Sequence, residues 1–227
     1  MPKNKKTYYQ LILDKSGSMS DCVQSTINGF NEQMQMIRSM KNKFPEQEFV
    51  VSLTTFNHEI DFDIDMQDPD NVKELVSTYD NNSWLIENNK IIYETSGMTA
   101  LYDAIGMSVK KIQKQAKKEI AEDLATAVVV IITDGHENSS ERYTYKKIQS
   151  MIKELEQSDN WTFSYLSNTP DAVEYAEKMN IKKENAIMYC KETVDHDYND
   201  IVMSMDSYFS LKQEDAKEKK FIKSRRK

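Results

Sequence analysis

The sequence predicts a single α/β domain: a doubly wound, mostly parallel sheet with one antiparallel edge strand and helices on both faces. Three observations carry this. Two apolar runs, Tyr8-Tyr9-Gln10-Leu11-Ile12-Leu13 and Ala127-Val128-Val129-Val130-Ile131-Ile132, stop at Asp14 and, one residue later, at Asp134. Both are too short for buried helices and read as central strands covered on both faces. Stretches of strand character alternate with stretches of helical periodicity along the chain, which is the pattern of parallel strands joined by crossover helices. The length, 227 residues, suits one such domain with a substantial core.

The elements follow in order. The first strand covers roughly residues 7–13. A helix spans 21–40, because Val23, Ile27, Phe30, Met34 and Ile37 fall on one helical face. Asp21 lies near its start, where negative charge suits the helix dipole. Pro45 marks the break before a strand over 48–56. A further strand over 59–65 alternates, with Ile60, Phe62 and Ile64 on one face and Asp61, Asp63 and Asp65 on the other. The link between these two strands, Asn57-His58, is so short that they should pair as an antiparallel hairpin at the sheet edge. Three alternating aspartates invite a calcium-loop reading. The glycine and closing glutamate that an EF-hand needs are Met66 and Val72 here, so the aspartates read as a solvated face.

Asp68-Pro69-Asp70 opens a short helix over 69–78. Residues 80–93 mix Trp84, Leu85, Ile86, Ile91 and Ile92 with many asparagines and read as a loop with a short extended segment beside the site. Leu101, Ile105, Val109 and Ile112 form the buried face of a helix that opens near Thr99. After the strand at 127–133 come a helix over 144–157, a strand over 161–166, a helix from Thr169-Pro170-Asp171 to Met179, and a strand over 186–189. A last helix over 194–211 uses Ile201, Met205, Tyr208 and Phe209 as apolar contacts. Residues 1–211 thus form the domain. Residues 212–227, ending Lys223-Ser224-Arg225-Arg226-Lys227, form a charged tail, ordinarily a solvated and disordered one.

Composition narrows the function. Charged residues make up 30% of the chain and the net charge is -7, which argues against a nucleic-acid partner. No run is long and apolar enough for a membrane span, and the lysine-rich start lacks the apolar segment of a secretory signal. Cys22 and Cys190 lie far apart and leave a disulfide open, although such sparse cysteine suits a reducing compartment better. The expectation is a cytoplasmic protein.

The chemistry concentrates in Asp14-Lys15-Ser16-Gly17-Ser18. Asp14 ends a central strand, at the sheet rim where open α/β sheets hold their ligands. Ser16 and Ser18 follow at alternate positions. One carboxylate and two neutral hydroxyls suit a hard cation such as Mg²⁺. The plain alternative is helix capping, with Ser16, Ser18 or Ser20 accepting from the opening N–H groups of the next helix. Thr99 has the same two readings, and a hydroxyl can cap a helix and still offer a lone pair to a cation. Asp134 brings a second carboxylate to the same rim. Tyr102 and Asn138 near that rim are either groups that orient ligands or turn and cap residues.

Taken together, Asp14-Lys15-Ser16-Gly17-Ser18, then Thr99, then Thr133-Asp134-Gly135 resemble the metal-ion-dependent adhesion site of von Willebrand factor type A domains, over nearly the whole chain. The resemblance implies a Rossmann-like domain that holds a divalent ion, Mg²⁺ with Mn²⁺ or Ca²⁺ as alternatives. Through that ion it would bind a protein partner supplying an Asp or Glu carboxylate. It implies Ser16 and Ser18 as direct ligands, with Thr99, Asp14 and Asp134 binding directly or through water. The segments Gly97 to Ala104 and Asp134 to Ser139 further resemble stand-alone intracellular bacterial members, some of which accompany tellurite-resistance-like kinase and phosphatase systems.

The competing class is a metal-dependent phosphatase-type hydrolase with Asp14 as nucleophile. Ser16 stands where that chemistry needs its second acid. A dinucleotide enzyme lacks its Gly-x-Gly-x-x-Gly after the first strand, and a P-loop lacks its Gly-Lys-Ser/Thr ending. His58, His136 and His196 have no Ser or Cys arrangement for nucleophilic catalysis. The expectation is therefore a binding module and not an enzyme.

Overall fold

A computed structural model describes residues 6–77 and 90–188. The expected helix at 194–211, the tail at 212–227, Cys190, His196 and most of the 80–93 stretch lie outside the described residues. The elements in chain order are β1 (Lys6–Asp14), α1 (Val23–Lys43), β2 (Glu48–Phe56), β3 (Ile60–Gln67), β4 (Leu75–Val76), β5 (Ile91–Ile92) and α2 (Leu101–Gln115). They continue with α3 (Lys117–Ala121), β6 (Ala125–Thr133), α4 (Tyr145–Glu156), β7 (Trp161–Ser167), α5 (Ala172–Lys178) and β8 (Ala186–Met188).

Among the described residues six strands form the main sheet, in the order β3-β2-β1-β6-β7-β8. Neighbours pair in parallel except β2 with β3, which form the expected antiparallel hairpin at the edge. The two apolar runs are adjacent at the centre. Their register sets Leu13 opposite Ile132, so both chains leave the sheet at one rim. Each strand feeds two cores, which is why its apolar run is continuous rather than alternating. Leu11, Leu13, Val128, Val130 and Ile132 pack against Ile27, Phe30, Met34 and Ile37 of α1. Ile12, Val129 and Ile131 face the other way, toward Ile105, Val109 and Ile112 of α2 and Ile148 and Ile152 of α4.

Four expectations are corrected. The first helix begins at Val23, not 21, because Gly17–Cys22 forms a 3-10 segment first. The helix expected over 69–78 is a single 3-10 turn, Pro69–Asn71, followed by the extended β4. Here α1 dictates the backbone. Asn31 exchanges two hydrogen bonds with the Leu75 main chain, at 3.0 and 3.1 Å, as a neighbouring strand would. Arg38 donates to the Pro69 and Val72 carbonyls. Two tertiary grips of this kind outweigh a local helix signal.

The clean alternation of β3 also fails. Ile64 is buried, but Phe62 is exposed with the Lys111 ammonium 4.2 Å above its ring. Register shifts between Val51 and Thr55 of β2 re-aim the side chains. The three aspartates do not converge: Asp61 pairs with Lys15, Asp65 with Lys111, and Asp63 accepts from Thr55. Finally, α3 was not expected as a separate helix.

Candidate metal centre

Asp14 is the last residue of β1 and is fully buried. Its carboxylate accepts from the Ser16 N–H at 2.7 Å and from the Thr133 hydroxyl at 2.5 Å. Burial raises its pKa to about 6, the negative charge of Asp134 adds to that, and the two donors pull in the opposite direction. The buried Tyr93 hydroxyl donates to the Asp14 carbonyl at 2.5 Å and fixes the strand end from below.

Ser18 joins the two strand ends. Its hydroxyl donates to Asp134 Oδ1 at 2.5 Å and lies 3.1 Å from the Ser16 hydroxyl. The capping alternative is not realised: the 3-10 segment, α1 and α2 all begin without a side-chain cap bond, and the residue at the cap of α2 is Ala100. Thr99 stands just before that helix and is 3% exposed. Its oxygen is located by Gly135: a β-carbon at that glycine would lie 3.1 Å from Thr99 Oγ1, 3.3 Å from Ser18 Oγ and 3.8 Å from Asp14 Oδ2. Three of the five oxygen-bearing side chains therefore lie within 3.8 Å of one point, and hydrogen bonds tie Ser16 and Asp134 to the same cluster.

Backbone bonds hold the loops in place. The Lys15 N–H donates to the Phe56 carbonyl, Ser96 to Lys15, Gly17 to Gly97 and Ala100 to Asn57. Gly97 has a φ of +76°, and a β-carbon there would come within 2.3 Å of His58 Nδ1, so this crossing admits only glycine. On the other side, Asn138 clamps the Thr99 main chain. Its side chain accepts the Thr99 N–H at 2.8 Å, and its own N–H donates to the Thr99 carbonyl at 3.0 Å. Asn138 thus orients a candidate ligand. Tyr102 instead meets Tyr175, hydroxyl to hydroxyl at 2.7 Å.

Two carboxylates that sequence reasoning passed over secure the loop after β6. Glu137 accepts from the Ser139, Ser140 and Tyr102 N–H groups. Asp103 accepts from the N–H groups of Glu141, Arg142 and Tyr143. His136, exposed, lies 3.7 Å from the Asp171 carboxylate and meets the Tyr175 ring edge-on.

The family model described as "von Willebrand factor type A domain" matches residues 10–203. The chain belongs to this family. Solved structures agree on the fold. One is proximal thread matrix protein 1 from the mussel byssus, at 13% identity and a TM-score of 0.56, covering 88% of this chain and 46% of that one. Another is a von Willebrand factor type A protein from Catenulispora acidiphila, at 13% identity and a TM-score of 0.52, covering 88% of this chain and 42% of that one. A mutant of the PilB minor pilin from Streptococcus sanguinis shows 13% identity and a TM-score of 0.52 over 94% of this chain and 64% of that one. The chain spans less than two-thirds of each of these structures' chains. No curated protein matches it.

In this type A domain the donor set suits a hard divalent ion. It holds two carboxylates and three neutral hydroxyls, all oxygen, and a β-carbon at Gly135 would crowd two of those hydroxyls. Among the described residues no group of three or more His, Cys, Asp or Glu side chains could hold a metal ion. A cation here would depend on the hydroxyls. Gly135→Ala tests the space itself. The added methyl crowds Thr99 Oγ1 and Ser18 Oγ without a positive φ to strain the backbone. The expected outcome is a fold stable to within about 1 kcal/mol of the original. Mg²⁺ affinity, by calorimetric titration, should fall at least tenfold, roughly the loss caused by disturbing a metal site's supporting groups.

Proposed function

We propose that the domain is a divalent-cation-dependent protein-binding module, not an enzyme. Asp14, Ser16, Ser18, Thr99 and Asp134 would hold Mg²⁺, with Mn²⁺ or Ca²⁺ as alternatives. The observation that supports this best is the convergence of Thr99 Oγ1, Ser18 Oγ and Asp14 Oδ2 about the Gly135 position.

The residue types explain the mode of binding. Two carboxylates shared among five donors leave a divalent ion short of electron density, where five carboxylates would repel an incoming acid. Mg²⁺ favours octahedral coordination and keeps exchangeable waters. The bound ion would supply a positive centre for an Asp or Glu carboxylate of a partner protein. Around it, Thr133 and the Ser16 N–H fix Asp14, and Asn138 fixes Thr99, so the donors are positioned before the cation arrives. Membership of the family supports a protein partner. Among the described residues no helix is long and apolar enough to cross a membrane. The reading places the domain in a reducing cytoplasm, which a chain with two cysteines suits, with a kinase or phosphatase system as one partner class.

The test is capture on the immobilised chain with Mg²⁺, with EDTA, and with Asp134→Ala. A partner held with Mg²⁺ and lost in both other arms supports the reading. Binding that persists in the folded Asp134→Ala protein overturns it.

A further inference from the structure

A second surface lies away from the metal rim, between α2 and α4. It is an open groove of about 560 Å³. Its apolar lining is Tyr143, Met151 and Leu155, all partly buried against the α2–α4 core. Three lysines border it, Lys110 from α2 and Lys146 and Lys147 from α4, against a single acid, Glu154.

Two features suggest that the groove is more than a dip between helices. Gly106 lets Tyr143 lie directly on α2: a β-carbon there would meet the tyrosine ring at 2.4 Å. Tyr143 is also fixed by its own N–H, which donates to Asp103 at 2.7 Å, so the groove has a built aromatic end. The charge is also out of balance. Lys111, next along α2, is paired with Asp65 at 3.1 Å. Among the described residues Lys110, Lys146 and Lys147 have no carboxylate within 4.0 Å, and Lys147 reaches the Arg142 carbonyl at 3.4 Å instead. These ammonium groups sit together on a chain whose net charge is -7.

We propose that this groove docks an acidic, amphipathic peptide segment of a partner protein. Apolar side chains would cover Tyr143, Met151 and Leu155, and Asp or Glu residues on the flank would meet the three lysines. Furrows between two helices accept helical segments in this way, with apolar anchors giving affinity and charges giving orientation and on-rate. A nucleic-acid strand fits less well. Among the described residues Tyr143 is the one ring in the lining, and Met151 and Leu155 offer none, so successive bases would find no second stacking partner.

The probe is a fluorescein-labelled synthetic peptide with a Leu/Met stripe and a Glu flank, titrated with the full chain by anisotropy. Running it in EDTA makes the result independent of the metal reading. Saturable binding is expected. It should weaken about tenfold in Lys146→Glu/Lys147→Glu, and comparably when the peptide's Glu residues become Gln. Met151→Ser should weaken it without changing its salt dependence. The proposal is overturned if the peptide does not bind, if the double variant binds as the original does, or if the Gln peptide binds equally well. It is also overturned if a single-stranded oligonucleotide competes at lower concentration than the peptide. Sedimentation showing self-association that the double variant abolishes would assign the groove to a second copy, and would overturn it too.

Discussion

Asp14→Asn is expected to stabilise the metal-free protein above pH 7 and to abolish its response to Mg²⁺. The wild-type carboxyl is fully buried with no cationic side chain in contact among the described residues, and its folded pKa stands near 6 against 3.8 in the unfolded chain. A folded acid that holds its proton more tightly than the unfolded one adds stability at low pH. That contribution is fully present below about pH 4 and is lost as pH rises through about 6. The difference corresponds to about 3 kcal/mol, an order-of-magnitude figure. Asparagine never acquires the charge. It keeps an acceptor for the Ser16 N–H, but its amide faces the Thr133 hydroxyl, which must turn to accept. That rearrangement offsets part of the gain and leaves a net of about 1–2 kcal/mol, or several degrees in Tm for a chain of this size.

Thermal melts in EDTA at pH 5 and pH 8 check this. The wild type should be relatively weaker at pH 8, and the variant should lose that difference. Adding Mg²⁺ should raise the wild-type Tm through binding to the folded state and leave the variant unmoved. A variant that melts lower than wild type at pH 8 in EDTA would show that the carboxylate stabilises the apo fold. A variant that still responds to Mg²⁺ would remove Asp14 from the ligand set.

Asp14 and Asp134 were legible in the sequence because each follows a continuous apolar run. Burial on both faces leaves a strand no polar alternation, and parallel register then brings such strand ends to one rim. The helix faces of α1 and α2 were legible for the related reason that packing imposes a period. Ile27, Phe30, Ile105 and Val109 are all buried as their spacing requires. What escaped notice has no period. Asn31 and Arg38 grip the main chain around β4 from a distant helix, and they turn the expected 69–78 helix into an extended segment. Asp103 and Glu137 act through backbone N–H groups of whatever residues pass by. Neither a capping box nor a charge pair marks them. The one available signal was an acid, Asp103, at a helix position whose neighbours Leu101, Ala104 and Ile105 are apolar. In hindsight a buried charge of that kind needs donors.

Asp103→Ala is accordingly expected to be the most destabilising single change near the site. The carboxylate is 7% exposed and accepts from three consecutive N–H groups, Glu141, Arg142 and Tyr143, at 2.7 to 3.2 Å. It fastens the loop after β6 onto the first turn of α2. Hydrogen bonds to a charged acceptor contribute roughly 1.5–3 kcal/mol each, and their removal is less than additive. A loss of about 3–4 kcal/mol is expected, measured as the urea midpoint at unchanged m-value. Asp103→Asn keeps one acceptor oxygen and should cost about half as much.

The effect should reach the metal centre, because the loop that Asp103 fastens also carries Asn138, the clamp on Thr99. Mg²⁺ affinity in Asp103→Asn is therefore expected to fall by about tenfold, the usual size for loss of a supporting group, although Asp103 is not a proposed ligand. The control is Glu119, which lies away from the rim and pairs with Lys6. Glu119→Gln should leave Mg²⁺ affinity unchanged. If Asp103→Asn weakens the fold but binds Mg²⁺ as tightly as wild type, the loop does not need Asp103 to hold Asn138 against Thr99.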